Sequence, residues 1–135
     1  MRPTPAGLYC EPGDFHIDPV RPVPRAIVTH GHADHARPGN GHVLVTAATA
    51  AIMRARLSET AGSLQPLAYG EAVAIGGVTV SLIPAGHILG SAQAVLDYRG
   101  SRVVVSGDYK RRPDPTCPPF EPMPCDVFIT EATFG

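Results

Sequence analysis

The stretch that decides the fold is His30-Gly31-His32-Ala33-Asp34-His35, in which three imidazoles and one carboxylate fall within six residues. The residues before it, 26–29, are mostly apolar, so we predict a buried strand that ends where the histidines begin. Imidazole nitrogens and carboxylate oxygens are ligands that divalent metals such as zinc accept from proteins. Small residues at positions 31 and 33 allow alternate side chains to face one centre. A catalytic metal takes about three protein ligands, and the four offered here indicate two metals.

Composition sets limits on the class of protein. The chain has 135 residues and a formal net charge of −1, which suits one domain or part of one and gives no overall basic field for nucleic acid. Cys10, Cys117 and Cys125 are odd in number and favour free thiols in a reducing cytoplasm, although Cys117 and Cys125 flank a proline-rich stretch that would let them approach each other. No apolar run has membrane-spanning length and the N-terminus has no export signal, so we expect a cytoplasmic protein with no membrane partner.

Prolines and glycines punctuate the apolar segments, which predicts short elements joined by shaped loops. Thr46 is a good cap for a helix over residues 47–57, with apolar side chains on one face and Arg54 and Arg56 turned to solvent. Residues 1–13 are expected to be turn-rich. Strands are predicted over residues 15–18, 26–29, 42–46, 71–75, 78–83, 91–98, 102–106 and 126–130, with hairpin turns at 76–77 and 99–101 and a proline-rich connection over 109–124.

Histidine, aspartate or glutamate follows five of these strands, near residues 17, 29, 83, 106 and 130, which predicts an α/β protein whose polar side chains converge on one edge of a sheet. His87 and Asp108 are two of these side chains. Taken alone, His87 is more often a hydrogen-bonded structural histidine and Asp108 a turn aspartate. Together with the histidine stretch, they complete a metal site. His16 and His42 are isolated histidines, and we assign them no role.

We therefore predict a dinuclear centre with one carboxylate bridging the metals: His30, His32 and His87 for the first metal, Asp34 and His35 for the second, and Asp108 as the bridge. Metal binding lowers the pKa of a bound water toward about 7, so that hydroxide attacks a phosphate lying across both metals. Histidine and aspartate sites accept both zinc and manganese.

Asp18 and Glu131 are the other candidate carboxylates, which we group with Asp34 and Asp108 as catalytic. Ligand histidines usually donate their second N–H to such a group, although plain solvent exposure accounts equally well for both positions. The basic triplet Lys110, Arg111 and Arg112 directly follows Asp108 and would suit a phosphodiester backbone. An exposed, solvated loop is the alternative for this triplet.

Four ordered motifs resemble the metallo-β-lactamase-fold nucleases that carry a β-CASP insertion; they are residues 30–35, 85–91, 106–109 and 130–135. Residues 15–19, 106–111 and 119–122 are similar to one branch, the bacterial ligase-associated DNA exonucleases, also described as mRNA 3′-end processing exonucleases. The resemblance implies an αββα sandwich with two metals, usually zinc, at one edge, and hydrolysis of single-stranded DNA or RNA, with DNA ligase as a partner. It places Glu131 on the first β-CASP acidic position and Asp18 on the early strand-end aspartate.

Members of that family continue well past Gly135. The resemblance therefore implies that residues 1–135 form the N-terminal, β-rich part of a metallo-β-lactamase-fold domain and end where the β-CASP insertion begins. We expect one sheet face to be uncovered, the second metal to lack a protein ligand, and the isolated chain to be weak or inactive. The alternatives to a DNA exonuclease are an RNA 3′-end processing nuclease, a small-molecule metallohydrolase, against which Glu131 argues, and a non-catalytic metal-binding fragment.

Overall fold

The computed structural model describes residues 1–110 and 115–130. These residues form strands β1 (Arg2–Thr4), β2 (Gly7–Cys10), β3 (Phe15–Ile17), β4 (Arg25–Ile27), β5 (His42–Val45), β6 (Ser63–Pro66), β7 (Ala72–Ile75), β8 (Val78–Pro84), β9 (Ala92–Tyr98), β10 (Ser101–Val105) and β11 (Val127–Ile129). Helix α1 (Ala47–Leu57) follows β5 and continues into a 3-10 turn (Ser58–Ala61). The strands make a six-stranded sheet, in the order β1-β2-β3-β4-β5-β6, and a five-stranded sheet, in the order β11-β10-β9-β8-β7.

The first sheet is mixed. Strands β3 to β6 pair in parallel, whereas β1 and β2 form an antiparallel hairpin that extends the sheet beyond β3. Turns at residues 5–6 and 11–13 agree with the expected turn-rich start, but the strands β1 and β2 between and before them were not predicted. Pro3 lies on the edge strand β1, where a missing backbone N–H costs no ladder bond. Strand β6 was also not predicted, because its mostly exposed side chains show no apolar alternation.

Helix α1 has the predicted bounds, and Thr46 caps it by accepting a hydrogen bond from the backbone N–H of Thr49 at 3.3 Å. Met53 is fully buried and packs with Val43 and Val45 on the outer face of the first sheet. Arg56 is exposed as predicted, but its guanidinium also donates to the carbonyl of Ala36 at 2.7 Å. The helix thus covers one outer layer of the sandwich.

The second sheet follows the two predicted hairpins. Gly76 and Gly77 form the β7–β8 turn with φ of 56° and 85°, values that suit a type I′ turn and that favour glycine. The two sheets face each other across the main core, to which both contribute large apolar side chains: Phe15, Ile17, Ile27 and Leu44 from the first, and Val80, Leu82 and Leu96 from the second. The result is a two-sheet sandwich with one helix outside.

The outer face of the second sheet is covered where Ile83, Val95 and Val104 lie. All three side chains are buried, and Met123 of the proline-rich connection and Cys125 just after it pack against them. This contact covers only that part of the second sheet, since Val127 and Phe128 on β11 stay exposed, and the expectation of an uncovered sheet face stays a prediction. All three cysteines are free, as predicted. Within the described residues, no helix combines the length and apolar character needed to cross a bilayer.

Candidate metal centre

The predicted polar side chains meet at one end of the sandwich. Asp18 and His30 follow β3 and β4 of the first sheet, and His87 and Asp108 follow β8 and β10 of the second. The prediction of a single sheet edge is therefore wrong, because both sheets contribute. Their ends are joined by a hydrogen bond, from the N–H of Ala92 to the carbonyl of the residue preceding His30, at 2.7 Å.

Four ligand atoms, one each from His30, His32, His87 and Asp108, all lie within 4.8 Å of one another. The Nε2 of His87 is 3.3 Å from the Nδ1 of His32, and the Oδ2 of Asp108 is 3.7 Å from the Nε2 of both His30 and His87. Ligands of one tetrahedral zinc, each at about 2.0–2.1 Å, lie about 3.3–3.4 Å apart. The four atoms are therefore spaced for a common cation.

A second group of ligand atoms lies on the other side of Asp108. The Nε2 of His35 is 3.5 Å from the Oδ2 of Asp34 and 3.6 Å from the Oδ1 of Asp108. The two carboxylate oxygens of Asp108 thus face different histidines, Oδ2 toward His30 and Oδ1 toward His35. This is the arrangement that a carboxylate bridging two metals requires.

Two atoms at the centre of this cluster test whether a metal fits. Among the described residues, the Nε2 of His30 and the Oδ1 of Asp108 are buried without a hydrogen-bond partner. Leaving a buried polar atom unsatisfied costs about 1–3 kcal/mol. A cation beside His30 would satisfy its Nε2, and a cation beside His35, which Oδ1 of Asp108 faces, would satisfy that oxygen. Burial, assisted by the neighbouring His35, lowers the pKa of His30 to about 4, so the imidazole is neutral at pH 7, which is the form that binds metal. Burial also lowers the pKa of His87, against the opposing effect of the Asp108 carboxylate. The residues fit a divalent metal.

Asp18 fixes the orientation of two of these histidines. Its Oδ1 accepts from the N–H of Thr29 at 2.8 Å, and its Oδ2 accepts from the Thr29 hydroxyl at 2.6 Å and from the Nδ1 of His35 at 2.8 Å. The Thr29 hydroxyl has one proton and gives it to Asp18, so the Nδ1 of His30, 3.1 Å away, must be the donor in its contact with Thr29. Both histidines therefore carry their proton on Nδ1 and present an unprotonated Nε2 to the centre.

Asp18, His30 and His35 also form a group with spacing that a metal would accept. The Oδ2 of Asp18 and the Nδ1 atoms of His30 and His35 are already engaged in the hydrogen bonds just described, so we assign this group to support of the ligands. Thr29 was not assigned a role from the sequence. In sequence, Thr29 is only the polar last residue of the predicted strand 26–29, directly before the first histidine.

Two glycines let the loops approach this closely. Gly107 has φ of 56°, and a Cβ there would lie 2.5 Å from the hydroxyl oxygen of Thr29. A Cβ at Gly31 would lie 2.7 Å from the Cγ2 of Ile52 on α1, in agreement with the small residue predicted for this loop. A larger side chain at either position would force either the ligand loop or the facing side chain, Thr29 or Ile52, to move.

The remaining candidate residues are only partly described. Lys110 is exposed, and its backbone N–H donates to the carbonyl of Ala85 at 3.0 Å, which places it beside the loop that carries His87. Arg111, Arg112 and Glu131 lie outside the described residues, so their assignments stay predictions.

No family model matches the chain. Among curated proteins, the chain is 36% identical over 132 residues to a probable DNA ligase of Opitutus terrae, covering 96% of this chain and 13% of the ligase. It is 32% identical over 151 residues to a ribonuclease of Thermus thermophilus, covering 90% and 34%. It is 26% identical over 170 residues to cleavage and polyadenylation specificity factor subunit 3-I of Arabidopsis thaliana, covering 100% and 24%. Among solved structures, the metallo-β-lactamase MIM-2 superposes with a TM-score of 0.52 at 16% identity, covering 62% of this chain and 39% of that one.

The chain is a metallo-β-lactamase-fold relative of the β-CASP nucleases. The family resemblance and the fold class predicted from the sequence are both confirmed, with a β-rich sandwich and one helix in the described residues. The chain spans 13% to 34% of the length of the three curated relatives named above. A His/Asp cluster consistent with metal binding lies at the end of this metallo-β-lactamase sandwich.

Proposed function

We propose that the chain carries the metal centre of a metal-dependent phosphodiesterase, and that its substrate is single-stranded DNA, degraded from an end. The observation that carries the proposal is the approach of four ligand atoms, one each from His30, His32, His87 and Asp108, to within 4.8 Å. These donors come from two different sheets, so local turn preferences do not account for their meeting.

The proposed roles follow from the geometry. His30, His32 and His87 would hold the first metal, Asp34 and His35 would hold the second, and Asp108 would contribute one carboxylate oxygen to each. Bound divalent metals, zinc or manganese, would neutralise phosphate charge and lower the pKa of a coordinated water toward about 7. Asp18 is a positioning residue in this scheme, because its hydrogen bonds keep the protons of the ligand histidines on Nδ1.

The centre is open on one side. His30 is fully buried, whereas His32 is exposed and the Asp34 side chain is 70% exposed. A phosphodiester can therefore reach the ligand atoms from solvent without a rearrangement of the core. Lys110 is exposed, and its backbone N–H donates to Ala85 in the loop that carries His87, so we assign its side chain to a phosphate of the same strand.

The choice of DNA is supported by the similarity to a probable DNA ligase, which extends over 96% of this chain. We propose that the nuclease works together with DNA ligation, with DNA ligase as its partner. RNA is the second candidate substrate, because the relatives from Thermus thermophilus and Arabidopsis thaliana carry the names of a ribonuclease and a polyadenylation factor.

The test has a metal arm and a substrate arm. Metal content after equilibration with zinc or manganese is measured for the wild type, for His32→Ala and for His42→Ala. His42→Ala is the matched control, because His42 is exposed at the start of β5, at the end of the sheet opposite to the metal centre. We expect loss of metal in His32→Ala only. Because the chain spans only part of its relatives, we expect weak hydrolysis from the chain alone, and the same variants are assayed in the chain and in the whole protein.

The substrate arm uses end-labelled single-stranded DNA and RNA of the same sequence. Stepwise shortening of the DNA supports the proposal, and shortening of the RNA alone supports the second candidate. Wild-type metal content and cleavage in His32→Ala would overturn the dinuclear centre.

A further inference from the structure

The loop between β8 and β9, residues 85–91, carries His87; we call it the His87 loop. Its Gly90 carbonyl accepts two hydrogen bonds from the start of α1, from the Thr46 hydroxyl at 2.7 Å and the Thr49 hydroxyl at 3.1 Å. The Thr46 hydroxyl has one proton and two acceptors, the Gly90 carbonyl at 2.7 Å and the Thr49 hydroxyl oxygen at 3.1 Å, and the carbonyl is the nearer. A carbonyl oxygen has two lone pairs, so it accepts from both hydroxyls at once. Thr46 and Thr49 are buried, so water does not compete for the carbonyl.

Only glycine fits at position 90 in this contact. Its φ is +82°, and a Cβ there would lie 2.8 Å from both the backbone nitrogen and the hydroxyl oxygen of Thr49. The close approach of the His87 loop to α1 therefore needs glycine for space as well as for backbone conformation.

The contact is transmitted to His87 through the next residue, Ser91. The Ser91 hydroxyl oxygen accepts from the backbone N–H of His87 at 3.0 Å and of Ile88 at 3.2 Å. The Ser91 carbonyl accepts from the Tyr69 hydroxyl at 2.7 Å, and burial raises the pKa of Tyr69 to about 12, so this donor is retained at neutral pH. His87 is thus anchored within a closed loop whose far end is bonded to α1.

Helix α1 also contacts the other ligand loop. Ile52, one turn further along the helix, lies against Gly31, which is next to His32 in the sequence. One rigid element therefore contacts both loops, and the ligand atoms of His32 and His87 lie 3.3 Å apart. A shift of the His87 loop relative to α1 would change that separation directly.

We propose that Thr49, together with Thr46, is a positioning residue for His87: the paired hydroxyl bonds to Gly90 set the distance between the two ligand loops and thereby the affinity of the first metal. The inference rests on the proposed metal centre. It assigns to α1 a part in building that centre, in addition to its part in the core.

The experiment compares Thr49→Val, which removes one hydroxyl without changing side-chain size, with Thr49→Ser, which restores it. Thr60→Val is the matched control, because the Thr60 hydroxyl donates to the carbonyl of Leu57 at 2.6 Å at the other end of the helix. Zinc affinity is measured by chelator competition on the full chain, and the cobalt absorption spectrum reports the ligand geometry. We expect about a tenfold loss of affinity and an altered spectrum in Thr49→Val, recovery in Thr49→Ser, and no change in Thr60→Val.

A second measurement does not need metal. Amide hydrogen exchange of His87 and Ile88 in the metal-free chain should be faster in Thr49→Val than in Thr60→Val. If the wild type binds no metal but Thr49→Val still exchanges faster, the metal centre is refuted and the anchoring of the loop is supported. Unchanged exchange, or wild-type zinc affinity with an unchanged cobalt spectrum, would overturn the inference. If Thr49→Val does not fold, Thr49→Ala is the substitute, with the same outcomes.

Discussion

The Asp18 carboxylate makes the most specific prediction. In Asp18→Asn the amide oxygen still accepts from the backbone of Thr29, but the NH₂ group replaces the oxygen that accepts from the Thr29 hydroxyl and from His35. Hydrogen bonds to a charged group contribute about 1.5–3 kcal/mol each, so losing two removes about 3–6 kcal/mol. Part of this is recovered if the His35 proton moves to Nε2, which blocks the atom that faces the metals. We therefore expect zinc affinity to fall about 10–100-fold, or about 1.4–2.7 kcal/mol.

The assay is zinc titration against a chelator, combined with nitrogen NMR of the histidine rings to read which nitrogen carries the proton. Asp14→Asn is the control, because Asp14 also has a positive φ, 53° against 46° for Asp18, and accepts a hydrogen bond from Tyr9 on the exposed surface. Any general benefit of asparagine in the left-handed conformation is then the same in both variants. Wild-type zinc affinity in Asp18→Asn, with the His35 proton still on Nδ1, would refute the reasoning.

Three further predictions concern the site and its support. Gly107→Ala should lower stability by about 1–3 kcal/mol and weaken zinc binding, since its Cβ would meet Thr29, whereas Gly100→Ala, with a similar φ but open space, should change stability alone; urea unfolding and zinc titration separate the two. Zinc at one hundred times its dissociation constant should stabilise the wild type by about 2.7 kcal/mol but not His32→Ala, as measured by urea unfolding, and an equal effect in both would contradict the proposed first metal. Met53→Ala should cost about 2–5 kcal/mol, because Met53 is fully buried under the first sheet, and a loss below 1 kcal/mol would show that this packing is unimportant.

The parts of the fold that were predicted from the sequence are those with strong local signals. Thr46 marks the start of α1, and the glycine pair 76–77 and the turn at 99–101 mark two hairpins. The hairpin of β1 and β2 carries no such signal, because Pro3 and Gly7 resemble turn residues and the strands gain their partner only through β3. Edge strands depend on tertiary pairing, which local sequence patterns do not report.

The site divides in the same way. The ends of the predicted strands showed where the ligand residues begin. The hydrophobic periodicity of a strand does not specify which sheet it joins, so the contribution of two sheets was missed. Thr29 and Thr49 were missed for a different reason. A threonine in a strand or a helix is ordinary in sequence, and its role becomes visible only when the partner of its hydroxyl, Asp18 or Gly90, is known.

Exposure separates two kinds of ligand at this centre. The side chains of His30 and His35 are 0% and 3% exposed, whereas that of Asp34 is 70% exposed and His32 is open to solvent. The buried pair is oriented through Asp18, so replacing either histidine would disturb packing and hydrogen bonding as well as metal binding. The His32 ring lies against the rings of His30 and His87, outside the apolar core clusters of the described residues. Loss of metal in His32→Ala therefore reports on coordination itself, which the same result in a His30 variant would not.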